Sequence, residues 1–124
     1  DIPSLMASCD AIVHASTEPE PFGRVIVEGM LAGRPVLATA AGGAVEIIRD
    51  GQSGRLLRPD DPDALAAAIT ELRADRQRAE RMAEAGRARA LEHFTVNRMV
   101  EKLRATLLAV ARRPAPWLEH LGSP

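Results

Sequence analysis

Two glutamates, Glu20 and Glu28, stand with seven residues between them, and Phe22-Gly23-Arg24-Val25 lies in that interval. An ionised carboxylate accepts hydrogen bonds from both hydroxyls of a vicinal diol, as at the ribose of dinucleotide sites. The segment between them opens a helix. A first helical turn has N–H groups with no intrahelical partner and carries the positive end of the dipole. It therefore suits an anion such as phosphate, and a glycine there lets a ligand approach the backbone. One helix start can thus offer N–H groups to a diphosphate and a carboxylate at each end to sugar hydroxyls. Plainer readings stand beside this one, and spacing alone favours them. Glu20 is then a solvated acid in a polar loop, and Glu28 pairs with Arg24 one turn back, worth about 0.3–0.5 kcal/mol.

A second turn, Ala41-Gly42-Gly43, repeats the device, with Glu46 on the first helical turn after it. A tight turn, and an acid complementing its own helix dipole, explain these residues equally well. His14 is a candidate base, but near the end of a buried strand a hydrogen-bonded core histidine is the commoner role. Cys9 has no neighbouring base or cation and reads as a small buried hydrophobe. Ser16 lacks a Gly-x-Ser-x-Gly elbow.

These residues need elements to position them. Asp1 to Ser8 reads as a short helix capped by Asp1. The apolar run Asp10 to Ala15 reads as a buried strand, and the two prolines of Ser16 to Pro21 enforce a loop. A helix follows from Phe22 or Gly23 to about Ala32, with Val25, Ile26, Gly29 and Met30 as its inner face and Gly33 as its stop. Pro35 to Thr39 is a strand, Ala44 to Arg49 a short helix, Asp50 to Gly54 a turn and Arg55 to Arg58 a third strand. Asp60-Asp-Pro-Asp63 starts a helix reaching about Ala74, with Leu65, Ala68, Ile69 and Leu72 on one stripe. Gln77 to His93 is a charged helix holding Met82, Ala85, Ala90 and Leu91 inward. After a break at Phe94-Thr95, a last helix runs from about Asn97 to Ala111, and Arg112 to Pro124 is a loose tail.

Short strands alternating with helices imply an α/β fold with a parallel sheet and crossover helices. Ligands bind outside the carboxyl ends of such strands, which places the loops Ala15–Gly23 and Thr39–Gly43 at the working edge. Three strands are few for a sheet covered on both faces, so further strands are expected ahead of Asp1.

Composition narrows the function. The 124 residues carry a net charge of −1, three aromatic side chains and one cysteine. That excludes a basic nucleic-acid-binding surface, a base-stacking platform, a disulfide framework and a multi-cysteine metal site. No apolar stretch reaches the length needed to cross a bilayer, and no signal peptide is visible. The charge is uneven, at −5 over residues 1–63 and +4 over residues 64–124. A basic C-terminal half suits peripheral contact with the inner membrane face, although a solvated helix face explains it more simply.

The stretch from Ser16 to Thr39, STEPEPFGRVIVEGMLAGRPVLAT, resembles retaining glycosyltransferases of the GT-B fold, and more narrowly glycosyltransferase family four, also called glycosyl transferases group 1. The paired glutamates around Phe-Gly carry the likeness. Gly33 to Val36, Ala41 to Ile48, Asp50 to Gly54 and Pro59 to Pro62 extend it, so that it covers about residues 1–108. Gly29 stands where alanine is commoner.

The resemblance implies that residues 1–111 are a nucleotide-sugar-binding half-domain: a partial Rossmann-like sheet with flanking helices, from the second domain of such an enzyme, followed by C-terminal helices. It assigns Glu28 to the ribose of the donor. It assigns Glu20, the catalytic carboxylate, to the sugar hydroxyls near the reacting carbon. Backbone around Phe22, Gly23, Arg24 and Val25 would face the diphosphate or sugar, with Gly42 and Gly43 lining the same cleft. A hexosyl unit would pass with retained configuration to an acceptor hydroxyl on a glycan, lipid or small molecule, without metal or other cofactor, in the cytoplasm. Upstream basic residues and an acceptor-binding domain would complete the enzyme, so the chain alone is expected to be inactive. Its last helix would pack toward that domain. Two alternatives remain, a nucleotide- or phosphate-binding module without catalysis and a sugar-nucleotide epimerase of GT-B architecture.

Overall fold

The computed structural model describes residues 1–111; the expected loose tail, residues 112–124, lies outside them. Two compact units form, one of Asp1–Phe94 and one that begins at Thr95. The first contains helix α1 (Ile2–Ser8), strand β1 (Ile12–His14), α2 (Arg24–Leu31), β2 (Val36–Thr39), α3 (Ala44–Ile47), β3 (Arg55–Leu57), α4 (Pro62–Ala74) and α5 (Arg76–His93). The second contains α6 (Val96–Ala111).

The strands form a parallel sheet in the order β1-β2-β3. His14 pairs with Ala38, and Ala38 with Leu56. Every residue of β2 is buried, as a central parallel strand covered on both faces requires. Its side chains alternate between two cores. Val36 and Ala38 join Ile12, Ile26, Val27, Met30, Ile47 and Ala90 on one face, while Leu37 joins Leu57 and Ala68 of α4 on the other. Val13, level with Leu37 in the register, is 43% exposed.

Helix α2 lies close on the sheet because Gly29 has no side chain. A methyl group there would stand 3.1 Å from both Ile12 and Val36, tighter than ordinary packing. Gly33 ends the helix region with φ +70°, the left-handed conformation that glycine adopts cheaply. Asp61 caps α4 by accepting from the Ala64 N–H at 2.9 Å. Asp1 caps nothing with its side chain, which instead accepts from the Ser4 hydroxyl.

Helical phase corrects several expected inner residues. Val25 is 38% exposed and Val27 takes its place, because α2 begins at Arg24 and turns Ile26, Val27 and Met30 onto the sheet. On α5, Ala85 and Leu91 face out, while Ala83 and Gly86 face in beside Met82 and Ala90. A side chain at Gly86 would meet the Ser53 carbonyl at 2.8 Å, so the helix rests directly on the Asp50–Gly54 turn. Ile69 of α4 is also exposed. In the second unit, α6 buries none of its residues; Met99, Val100, Leu103, Leu107, Leu108 and Val110 are all exposed.

Candidate functional site

Both expected loops leave the carboxyl ends of their strands, and they are locked together. Gly43 donates its N–H to the Glu20 carbonyl at 2.8 Å. A side chain at Gly42 would fall 2.0 Å from that same oxygen, and one at Gly43 would fall 2.1 Å from the Phe22 carbonyl. The close approach these glycines allow is thus occupied by the Glu20–Phe22 backbone. Thr39 Oγ1 donates to the Ser16 carbonyl at 2.6 Å and pins the beginning of the first loop. Phe22 stacks edge-on against Phe94 with ring centres 6.4 Å apart, which ties the end of the loop to the end of α5.

Gly23 turns the chain into α2 with φ +86°. Its left-handed backbone explains why glycine stands there, and a side chain would also crowd Ile26 at 3.1 Å. Among the described residues, the N–H groups of Arg24 and Val25 donate to no backbone carbonyl. They are the unpaired donors of the helix start, at the carboxyl edge of the sheet.

The two glutamates stand on either side of this start. Glu28, on the second turn of α2, is held by Arg24, whose Nε donates to Oε1 at 2.7 Å. The simple one-turn pair anticipated from spacing is therefore present. With Arg24 85% exposed it is worth only a few tenths of a kcal/mol, so a ligand displaces it at little cost. Glu20 Oε2 lies 3.2 Å from His14 Nε2 across the loop. A hollow of about 250 Å³ at the strand ends is lined by His14, Thr17, Thr39, Arg58, Asp60 and Leu65, among others, but by neither glutamate. A larger hollow of about 550 Å³ lies at the opposite, amino edge beside Asp10, Arg34 and Arg73.

Sequence reasoning missed the supports. Arg89 of α5 donates from Nε to the Ile47 carbonyl at 2.6 Å and from Nη2 to the Glu46 carbonyl at 2.9 Å, holding the end of α3. Its guanidinium also stands 5.6 Å from the centre of the Phe94 ring. These partners lie more than 40 positions apart, where no local pattern reaches. Cys9 packs against the core as a small hydrophobe. Among the described residues no group of three or more His, Cys, Asp or Glu side chains gathers as a metal cage would. No helix among them is long and apolar enough to cross a membrane.

The family model described as "Glycosyl transferases group 1" matches residues 1–89. The crystal structure of Anabaena Alr3699/HepE in complex with UDP-glucose is similar at 44% identity with a TM-score of 0.83, covering 87% of this chain and 30% of that one. Spore coat protein SA of Bacillus subtilis is 33% identical over 104 residues, 83% of this chain and 28% of its own length. A D-inositol 3-phosphate glycosyltransferase of Thermomonospora curvata is 42% identical over 86 residues, 66% of this chain and 20% of its own length. The chain thus spans less than a third of the length of these relatives.

Proposed function

Because the chain belongs to the glycosyl transferases group 1 family, we propose that it forms the donor-binding half-site of a longer enzyme that transfers a hexosyl unit from a nucleoside-diphosphate sugar. The observation that carries this reading is the start of α2. Unpaired N–H groups of Arg24 and Val25 stand at the carboxyl edge of a parallel sheet, with Glu20 on the loop before them and Glu28 on the turn after. The UDP-glucose held by the similar Anabaena protein supports a nucleotide-sugar donor.

In this reading Arg24 and Val25 N–H groups receive the anionic diphosphate, aided by the helix dipole. Glu28 leaves Arg24 and accepts from the ribose hydroxyls. Glu20 accepts from the sugar and stabilises positive charge developing at its reacting carbon, with retention of configuration. The locked loops hold these groups in place before the donor arrives, so little ordering remains to be done on binding. Gly42 and Gly43 serve by holding the Glu20 backbone. No metal takes part, the acceptor is a hydroxyl compound bound mainly by the rest of the enzyme, and the work is done in the cytoplasm.

The test is nucleoside-diphosphate release from a panel of sugar nucleotides by the longer enzyme and by the 124-residue chain alone. Transfer by the longer enzyme and none by the chain is the expected result. Transfer by the chain alone would overturn the half-site, and failure of every donor with the longer enzyme would overturn the activity.

A further inference from the structure

We propose that Arg89 is a positioning residue for the segment Glu20–Gly23, which it clamps from two sides, through α3 and through Phe94. The clamp bears on function by way of the donor-site reading, but its geometry stands apart from that reading.

The first arm runs through α3. Its four residues make a single turn, and one turn does not hold itself together in water. The amino end of α3 is Gly43, whose N–H holds the Glu20 carbonyl at 2.8 Å. The carboxyl end leaves carbonyls without an intrahelical partner. Among the described residues no backbone N–H donates to those of Glu46 and Ile47, and Ile47 is only 1% exposed. Arg89 supplies both donors from α5, Nε to Ile47 at 2.6 Å and Nη2 to Glu46 at 2.9 Å. A planar guanidinium fixes direction as well as distance. With its carboxyl end so held, α3 keeps Gly43 in place, and Gly43 keeps the Glu20 backbone in place.

The second arm runs through Phe94. The same guanidinium stands 5.6 Å from the centre of that ring. Phe94 closes α5, where its N–H donates to the Ala90 carbonyl at 2.9 Å, and its side chain packs against the core. Its edge-on partner is Phe22, the residue before Gly23. One side chain on α5 thus reaches both ends of the Glu20–Gly23 segment.

Helix α2 has its own anchor, because Ile26 and Met30 are wholly buried. The N–H groups of Arg24 and Val25, and Glu28, ride on that anchored helix. Glu20 does not, and a loop alone positions a side chain poorly. Loss of the clamp is therefore expected to fall on the work of Glu20 more than on the binding of the diphosphate and ribose.

The first test is amide hydrogen exchange of the 124-residue chain. Arg89→Met is expected to speed exchange at Gly43 about 10-fold or more relative to the β2 amides of Val36–Thr39. Arg89→Lys keeps the charge and one donor but not the fork, so it should speed Gly43 by a smaller factor, and it decides the matter where Arg89→Met fails to fold. Exchange at Gly43 that is unchanged, or that rises only in step with β2, overturns the clamp. In the longer enzyme, Arg89→Met is expected to lower kcat about 10-fold or more with a smaller change in KM for the donor. Phe94→Leu, which removes only the second arm, should lower kcat less, and Phe94→Tyr should match the unaltered enzyme. Asp61→Ala weakens the α4 cap and is the control for lost stability alone, with kcat unchanged. An unchanged kcat in Arg89→Met, or an equal loss in Asp61→Ala, overturns the positioning role. Absence of any donor turnover in the unaltered enzyme would instead strike the donor-site reading, while hydrogen exchange would still decide the clamp.

Discussion

The N–H of Gly43 donates to the carbonyl oxygen of Glu20 at 2.8 Å, and through that bond the loops after β1 and β2 become one unit. The acid that would face a donor sugar is thereby carried on backbone that the next strand's loop holds still. No side chain fits between them, since any β-carbon at Gly42 or Gly43 falls near 2 Å from a carbonyl oxygen.

Gly43→Ala is therefore expected to destabilise the fold by about 1–3 kcal/mol or more, the usual range for overpacking. Gly51→Ala is the comparison for space, because nothing lies within 4 Å of the added methyl there, although its φ of +72° still strains any side chain. Thermal unfolding checks both, and a smaller loss of Tm at Gly51 than at Gly43 is the expected order.

Ile26 is wholly buried and Val25, its neighbour, is 38% exposed. Ile26→Ala is expected to cost about 2–5 kcal/mol. Val25→Ala should stay within about 0.5–1 kcal/mol. Urea unfolding separates the two, and the contrast reports the true phase of α2.

The Ala64 N–H bond to Asp61 holds the Asp61 carboxyl below its ordinary value of 3.8; burial opposes it, and the hydrogen bond and the charge of Arg58 each lower it by a lesser amount. A carboxyl lowered on folding stabilises the folded state above its unfolded pKa, and that contribution is lost as pH falls through the lowered folded value. The α4 cap should thus weaken below about pH 4. Asp61→Asn, which still caps but does not ionise, should flatten this part of the pH–stability curve, as followed by circular dichroism.

Leu103 and Leu107 of α6 are 55% and 59% exposed, and four residues apart they share one helix face. Exposed apolar stripes of this kind promote association. Light scattering of the purified chain should show mass rising with concentration, and Leu103→Glu with Leu107→Glu should suppress the rise.

Much of this architecture was legible in the sequence because its signals are local. Prolines in the Ser16–Pro21 loop, Gly33 after α2 and the Asp-Pro start of α4 each act within a few residues. Alternating strands and helices gave the parallel sheet, and the sheet gave the edge where Glu20 lies. Helical phase was less legible, since a shift of one residue at the start of α2 exchanges Val25 for Val27. The partners of the site were the least legible. His14 reaches Glu20 across a proline-bearing loop, and Arg89 reaches Ile47 from a different helix. Such contacts depend on how the elements pack and leave no periodic trace.

The measurement that bears most directly on the proposed donor site is the affinity and turnover of the longer enzyme with the sugar nucleotide it uses, compared among Glu20→Ala, Glu28→Ala and the unaltered protein. Loss of charge-assisted bonds to the ribose should weaken binding about 10- to 100-fold in Glu28→Ala. Loss of charge stabilisation should lower kcat about 100-fold or more in Glu20→Ala while affinity changes less. Unchanged affinity in Glu28→Ala together with unchanged kcat in Glu20→Ala would contradict the account.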